Sequence, residues 1–143
     1  MLNAILEKDL IKRLNQWSAK ACENKNYVLA YFYARQATLL NEHDMDALEI
    51  FIFALYYLGD YETLIQLADK WIKNSRINDP DKRGKLYHIL GTAQLEVGQY
   101  DKAHDTLQRA LSYYTQSKNQ DKISQVQKMI QEELPEKKNE PPV

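Results

Sequence analysis

Three histidines, His43, His88 and His104, and one cysteine, Cys22, are the side chains of this 143-residue chain best suited to metal or nucleophilic chemistry. They do not form a set. The histidines are scattered with no metal-ligand spacing, and Cys22 has no Cys or His neighbour in sequence. There is no Gly-rich phosphate loop, no nucleophile elbow and no paired-carboxylate motif. Carboxylates are plentiful, but on amphipathic helices they form the solvated face. No catalysis, metal or cofactor is expected, and the chemistry to look for is recognition.

Composition agrees. Lys plus Arg total 19 and Asp plus Glu total 20, a balance that speaks against a dedicated nucleic-acid binder. A single cysteine excludes an intrachain disulfide and suits a reducing compartment. No apolar run approaches the ~20 residues needed to span a bilayer. Glu7, Lys8 and Asp9 also stand where a secretory signal would carry its apolar core. The expectation is a cytoplasmic protein without membrane insertion.

Four glycines and four prolines, against abundant Leu, Ala, Lys, Gln and Glu, predict an all-α chain. Leu2, Leu6, Leu10, Leu14, Trp17 and Ala21 recur at helical steps and predict one long amphipathic helix with that stripe inward. Asn26 is placed as N-cap of a second helix with a small seam of Ala30, Ala34 and Ala37. A third, very apolar helix starts at Asp46-Ala47-Leu48-Glu49, a capping-box-like spacing, and ends at Gly59-Asp60. Leu64, Leu67, Ala68 and Trp71 mark the inward face of a fourth. Asp79-Pro80 opens a fifth, with Pro at the first helical position, where a missing N–H costs nothing. The fifth and sixth helices meet at Gly98. A seventh, near Asn119 to Leu134, turns Ile123, Val126, Ile130 and Leu134 one way. The polar, proline-containing stretch from Pro135 to Val143 is expected to be disordered.

One turn recurs. Lys25-Asn26-Tyr27-x-x-Ala30, Gly59-Asp60-Tyr61-x-x-Leu64 and Gly98-Gln99-Tyr100-x-x-Ala103 place their tyrosines 34 and 39 residues apart. Around the third turn stand Tyr87, Leu90-Gly91, Ala93, Ala103, Leu107 and Ala110. Around the second stand Leu48, Phe51, Ala54, Ala68 and Trp71, and around the first Leu14, Trp17, Ala21, Ala30, Ala34 and Ala37. A helix-turn-helix unit at this period resembles the tetratricopeptide repeat (TPR) family. The departures are Lys25 for the turn glycine, Ile52 for a small residue, Trp71 for Ala, and no closing proline in any copy.

The resemblance implies an α-solenoid of three TPR-like hairpins, about residues 11–44, 45–78 and 84–117, with a capping helix at about 119–134. These form a single domain over residues 1–134, followed by the tail 135–143. It also implies a concave groove that holds a peptide or helix of a partner protein. Carried over position by position, the groove is lined by Lys12, Asn15, Ala19, Cys22 and Glu23, by Asp46, Glu49, Phe53, Tyr56 and Tyr57, and by Lys85, His88, Thr92, Leu95 and Glu96. Candidate contact residues are Asn15, Glu49, Phe53, Tyr56, Tyr57, Lys85, His88 and Thr92. Phe53, Tyr56 and Tyr57 have the composition of a binding hot spot, with core packing of Phe53 and Tyr56 as the alternative. The family members that grip a heat-shock protein's terminal carboxylate use Lys, Asn, Asn, Lys and Arg, where this chain has Asn15, Ala19, Ile50, Lys85 and Ile89. Only Lys85 agrees, which speaks against that ligand.

Tyr31, Phe32 and Tyr33 cannot all face inward, because consecutive helical residues are turned about 100° apart. They are candidates for a second interface, and Tyr113 and Tyr114 raise the same question more weakly. The function expected is an adaptor or chaperone-like protein-binding module. The alternative is a scaffold subunit of a larger or self-associated assembly.

Overall fold

The computed structural model describes residues 2–73 and 78–134, and the expectations for 74–77 and for the tail lie outside them. Seven helices and no strand are found among the described residues: α1 (Leu2–Glu23), α2 (Tyr27–Leu40), α3 (Met45–Leu58), α4 (Tyr61–Lys73), α5 (Pro80–Glu96), α6 (Tyr100–Ser117) and α7 (Gln120–Glu132). The chain divides into two compact units, Met1–Thr63 and Leu64–Val143.

The helix boundaries follow local chemistry. Asn26 caps α2, its Oδ1 accepting from Leu29 N–H at 3.2 Å. Asp79 and Pro80 open α5. The start of α3 differs from expectation: its cap is Asp44, whose carboxylate accepts from Ala47 N–H at 3.1 Å, and Asp46 lies inside the first turn. Asp44 satisfies the orphan N–H directly, while Asp46 helps only through the helix dipole.

The α1–α2, α3–α4 and α5–α6 turns close alike. Lys25, Gly59 and Gly98 hold left-handed φ angles of 58°, 77° and 81°. At each, the following residue's N–H reaches back to a carbonyl in the last helical turn: Asn26 to Ala21 at 2.8 Å, Asp60 to Leu55 at 3.0 Å and Gln99 to Gln94 at 2.8 Å. This is the Schellman closure, and it satisfies carbonyls that the helix end leaves open. Lys118 closes α6 the same way, with φ 58° and Asn119 N–H on Tyr114 C=O at 3.0 Å.

In the first unit α1 packs on α2, and α3 packs on both. The alanine seam of α2 is fully buried and lets the helices approach closely. Ile11, Leu14, Ala37 and Ala47 form one cluster, and Ala21, Ala30 and Ala54 form another with Cys22, Tyr31 and Ile50 against it. The inward stripe of α1 is Ile11, Leu14, Ser18 and Ala21; Leu6, Leu10 and Trp17, expected inward, are exposed. Buried Ser18 returns its hydroxyl to the Asn15 carbonyl at 3.0 Å, so a small polar residue fits where Trp17 would not.

In the second unit α5 packs on α6, and α6 on α7. The core joins Tyr87, Ala103, Leu107, Ala110, Tyr114, Val126 and Leu134, with Ile123 and Ile130 against it, so α7 covers α6 with the face the sequence indicates. Tyr114 is fully buried and Tyr113 half-buried, which removes Tyr114 as a surface candidate. Tyr113 stacks on Tyr87 at 5.4 Å between centroids, and the Arg83 guanidinium lies 5.3 Å from the Tyr113 ring. Ile52 and Trp71, two of the departures from the repeat pattern, are both buried.

Candidate functional site

The exposed face of α3 is built by its own periodicity. Ala47, Leu48, Phe51, Ile52, Ala54 and Leu55 are buried, which leaves Asp46, Glu49, Phe53 and Tyr57 in line on the opposite side. Phe53 is 46% and Tyr57 51% exposed, so neither is core packing, while Tyr56 is half-buried beside them.

The rings are held in place by one another. Tyr57 stacks nearly flat on Tyr27 of α2, 4.4 Å between centroids and 10° between planes. It is tilted against Phe53 at 5.4 Å and meets Tyr56 edge-on at 5.4 Å. Tyr56 in turn meets the Tyr61 ring at 5.8 Å. Five aromatic rings thus form one connected surface, with Asp46 and Glu49 as an acidic rim. Ordered rings lose little side-chain freedom when a ligand covers them, which is the advantage of aromatic residues at interfaces. Tyr27 and Tyr61 extend the patch beyond the sequence-derived residues. The only sign of them in the sequence was their shared place in the repeated turn.

Asn15 has a different role from the one the resemblance gives it. Its amide N–H donates to the Asp44 carboxylate at 2.8 Å, tying α1 to the α3 cap. Cys22 is half-buried against the alanine cluster, and burial pushes its thiol up, away from reactivity.

Lys85, His88 and Thr92 share one face of α5, as their spacing requires, and each is engaged. Lys85 pairs with Asp81 at 3.7 Å, and Thr92 donates to the His88 carbonyl at 2.8 Å. His88 Nδ1 lies 3.2 Å from the Tyr114 hydroxyl, with the rings edge to face at 5.8 Å. Burial, with Lys122 adding repulsion, lowers the His88 pKa to about 4. Burial and the charge of Asp81 hold the Tyr114 phenol protonated well above its ordinary range. At neutral pH the pair is therefore a neutral imidazole against a phenol. Asp81 also accepts from Asn119 at 2.8 Å and from Ser117 at 3.3 Å. Those bonds, Asn119 foremost, lower its pKa, and Lys85 adds to the effect. The ends of α6 and α7 thus come against this face of α5, a closure invisible in the repeat pattern.

The second-interface trio separates. Tyr31 stacks on Phe51 at 5.2 Å, Tyr33 packs against Trp17 at 5.6 Å, and Phe32 is 54% exposed. Among the described residues no three His, Cys, Asp or Glu side chains converge as metal ligands, and no helix is long and apolar enough to cross a membrane. No protein-family model and no curated protein matches the chain.

Proposed function

We propose that the chain is a TPR-like α-solenoid that binds another protein, acting as an adaptor or chaperone-like module rather than an enzyme. The peptide or helix segment it holds lies across the aromatic face of α3. The observation that carries this reading is the connected set Phe53–Tyr57–Tyr27, in which exposed Phe53 and Tyr57 are held by ring contacts and Tyr57 stacks on half-buried Tyr27. Aromatic residues in that state concentrate binding energy, and an exposed, connected aromatic patch is rare on a surface that has nothing to bind. The left-handed closures at Lys25, Gly59 and Gly98 support the repeat reading, because they recur 34 and 39 residues apart, near a helix-turn-helix period. Binding rests on apolar contact with a few hydrogen bonds, because the exposed line of α3 is Asp46, Glu49, Phe53 and Tyr57, an acidic and aromatic face ill suited to a carboxylate.

The test is selection of binders from a displayed library of peptides and short helices, followed by affinity measurement on variants. Tyr57→Ala and Phe53→Ala should each weaken the selected ligands at least about tenfold, the hot-spot range, with helicity unchanged. Wild-type affinity in both variants overturns the assignment to α3.

A further inference from the structure

The α1–α2 hairpin has two long sides. One receives α3: Asn15 and Cys22 of α1 and Tyr27 and Tyr31 of α2 all reach it. The other side carries Leu6, Leu10 and Trp17 from α1 and Leu29, Tyr33 and Leu40 from α2, with Phe32 at the edge. Except for half-buried Tyr33, all of these are exposed, Leu6 at 57% and Trp17 at 47%. The Trp17–Tyr33 and Phe32–Tyr33 ring contacts, at 5.6 and 6.2 Å, join the two helices' contributions into one surface.

We propose that a second copy of this chain docks here, hairpin against hairpin about a twofold axis. Three observations favour that occupant. The patch gathers six exposed large apolar side chains, Phe32 at 54% the most exposed after Leu6, and a contiguous apolar surface of that extent marks an interaction site on a soluble protein. The sequence after Leu134 is poorly suited to cover it, since Val143 is its only aliphatic side chain apart from proline. The face is also complementary to itself. If two α1 helices run antiparallel with the axis near Ile11–Lys12, Leu6 of each copy meets Trp17 of the other, and Asp9 of each meets Arg13 of the other. Asp9 and Arg13 sit at the rim, paired within the chain at 3.1 Å and more than half exposed, so they are free to exchange partners. A twofold contact requires this kind of self-matching, and homodimer interfaces are the more apolar class. The proposal uses a side of the hairpin that ligand binding on α3 does not touch, so either stands without the other.

Sedimentation of the full chain over a dilution series should show a dimer dissociating to monomer. Leu10→Glu and Trp17→Glu should each weaken dimerisation more than tenfold while helicity stays unchanged and, at dilutions where wild type is itself monomeric, the unfolding midpoint does too, since both side chains are exposed. If either loses helicity, Leu6→Ser reads the same outcome. Asp9→Arg should weaken the dimer, and adding Arg13→Asp should restore it. A wild-type monomer throughout, a dimer indifferent to the Glu variants, open-ended larger species, or failure of the charge swap to restore pairing overturns the proposal.

Discussion

Asn15 and Ala47 share one oxygen of Asp44. The Asn15 amide donates to it at 2.8 Å and the Ala47 backbone N–H at 3.1 Å, so one carboxylate both caps α3 and fastens it to α1. The second unit repeats the device with the residue types exchanged. Asn119 Oδ1 caps α7 by accepting from Lys122 N–H at 3.3 Å, while its amide donates to Asp81 of α5 at 2.8 Å. Removing the cap residue therefore removes two interactions, and removing its partner removes one. Asp44→Ala should cost about 2 kcal/mol and Asn15→Ala about 1 kcal/mol. The double variant should be less destabilised than the sum, as urea unfolding would show. Asn15→Ala should also leave affinity at the α3 face unchanged, because its amide is spent on structure.

The His88–Tyr114 pair makes stability depend on pH in a definite direction. The folded-state pKa of His88, about 4, lies below its ordinary 6.5, so between those values the unfolded chain binds the extra proton. Stability contributed by the neutral imidazole is then complete above pH 6.5 and is lost as pH falls toward 4, where the folded state takes up the proton. The loss is bounded at about 3 kcal/mol by the size of the shift. His88→Gln should flatten the dependence of the urea midpoint over that window. An equal slope in wild type and variant would show that His88 titrates normally in the fold.

What could be read from the sequence was local. Asn26, Gly59, Asp60, Pro80 and Gly98 act through their own backbones, so composition and spacing located the helices they bound. What required three dimensions was the choice among competing faces. The 22-residue α1 offers two overlapping apolar stripes, one through Leu10 and Trp17 and one through Ile11 and Ser18. Hydrophobicity favours the first, but the flat alanine seam of α2 favours the second, whose small Ser18 allows close approach. The exposure of Phe53 was undecidable for a similar reason, because α3 is apolar nearly all round and only its neighbours determine which side is covered. Tyr114 shows the reverse error: a tyrosine beside another tyrosine looks like surface, yet it is the largest fully buried side chain among the described residues.

Gly84, which carries no turn and matches no repeat position, is set by that buried ring. A Cβ added there would lie 2.7 Å from two carbons of the Tyr114 ring. Alanine gains about 1 kcal/mol of helix propensity, but the ring is rigid, buried and tied to His88, so it has nowhere to move. Overpacking of this kind costs about 1–3 kcal/mol. Gly84→Ala should therefore destabilise by calorimetry, and a Tyr114→Leu background should turn the same substitution stabilising.

Lys25 gives the opposite expectation. It occupies the left-handed position that glycine fills at the two equivalent turns, with φ 58° against 77° and 81°. A Cβ in that conformation crowds the following carbonyl at a cost of roughly 1–2 kcal/mol, partly offset by the extra freedom glycine brings to the unfolded chain. The Lys25 side chain is exposed, so its removal costs little packing. Lys25→Gly should raise stability by about 1 kcal/mol, and Lys118→Gly should do the same in the second unit, since Lys118 also sits at φ 58°. Thermal unfolding of the two single variants and their combination measures both. Lower midpoints would show that these lysines make side-chain interactions worth more than the strain.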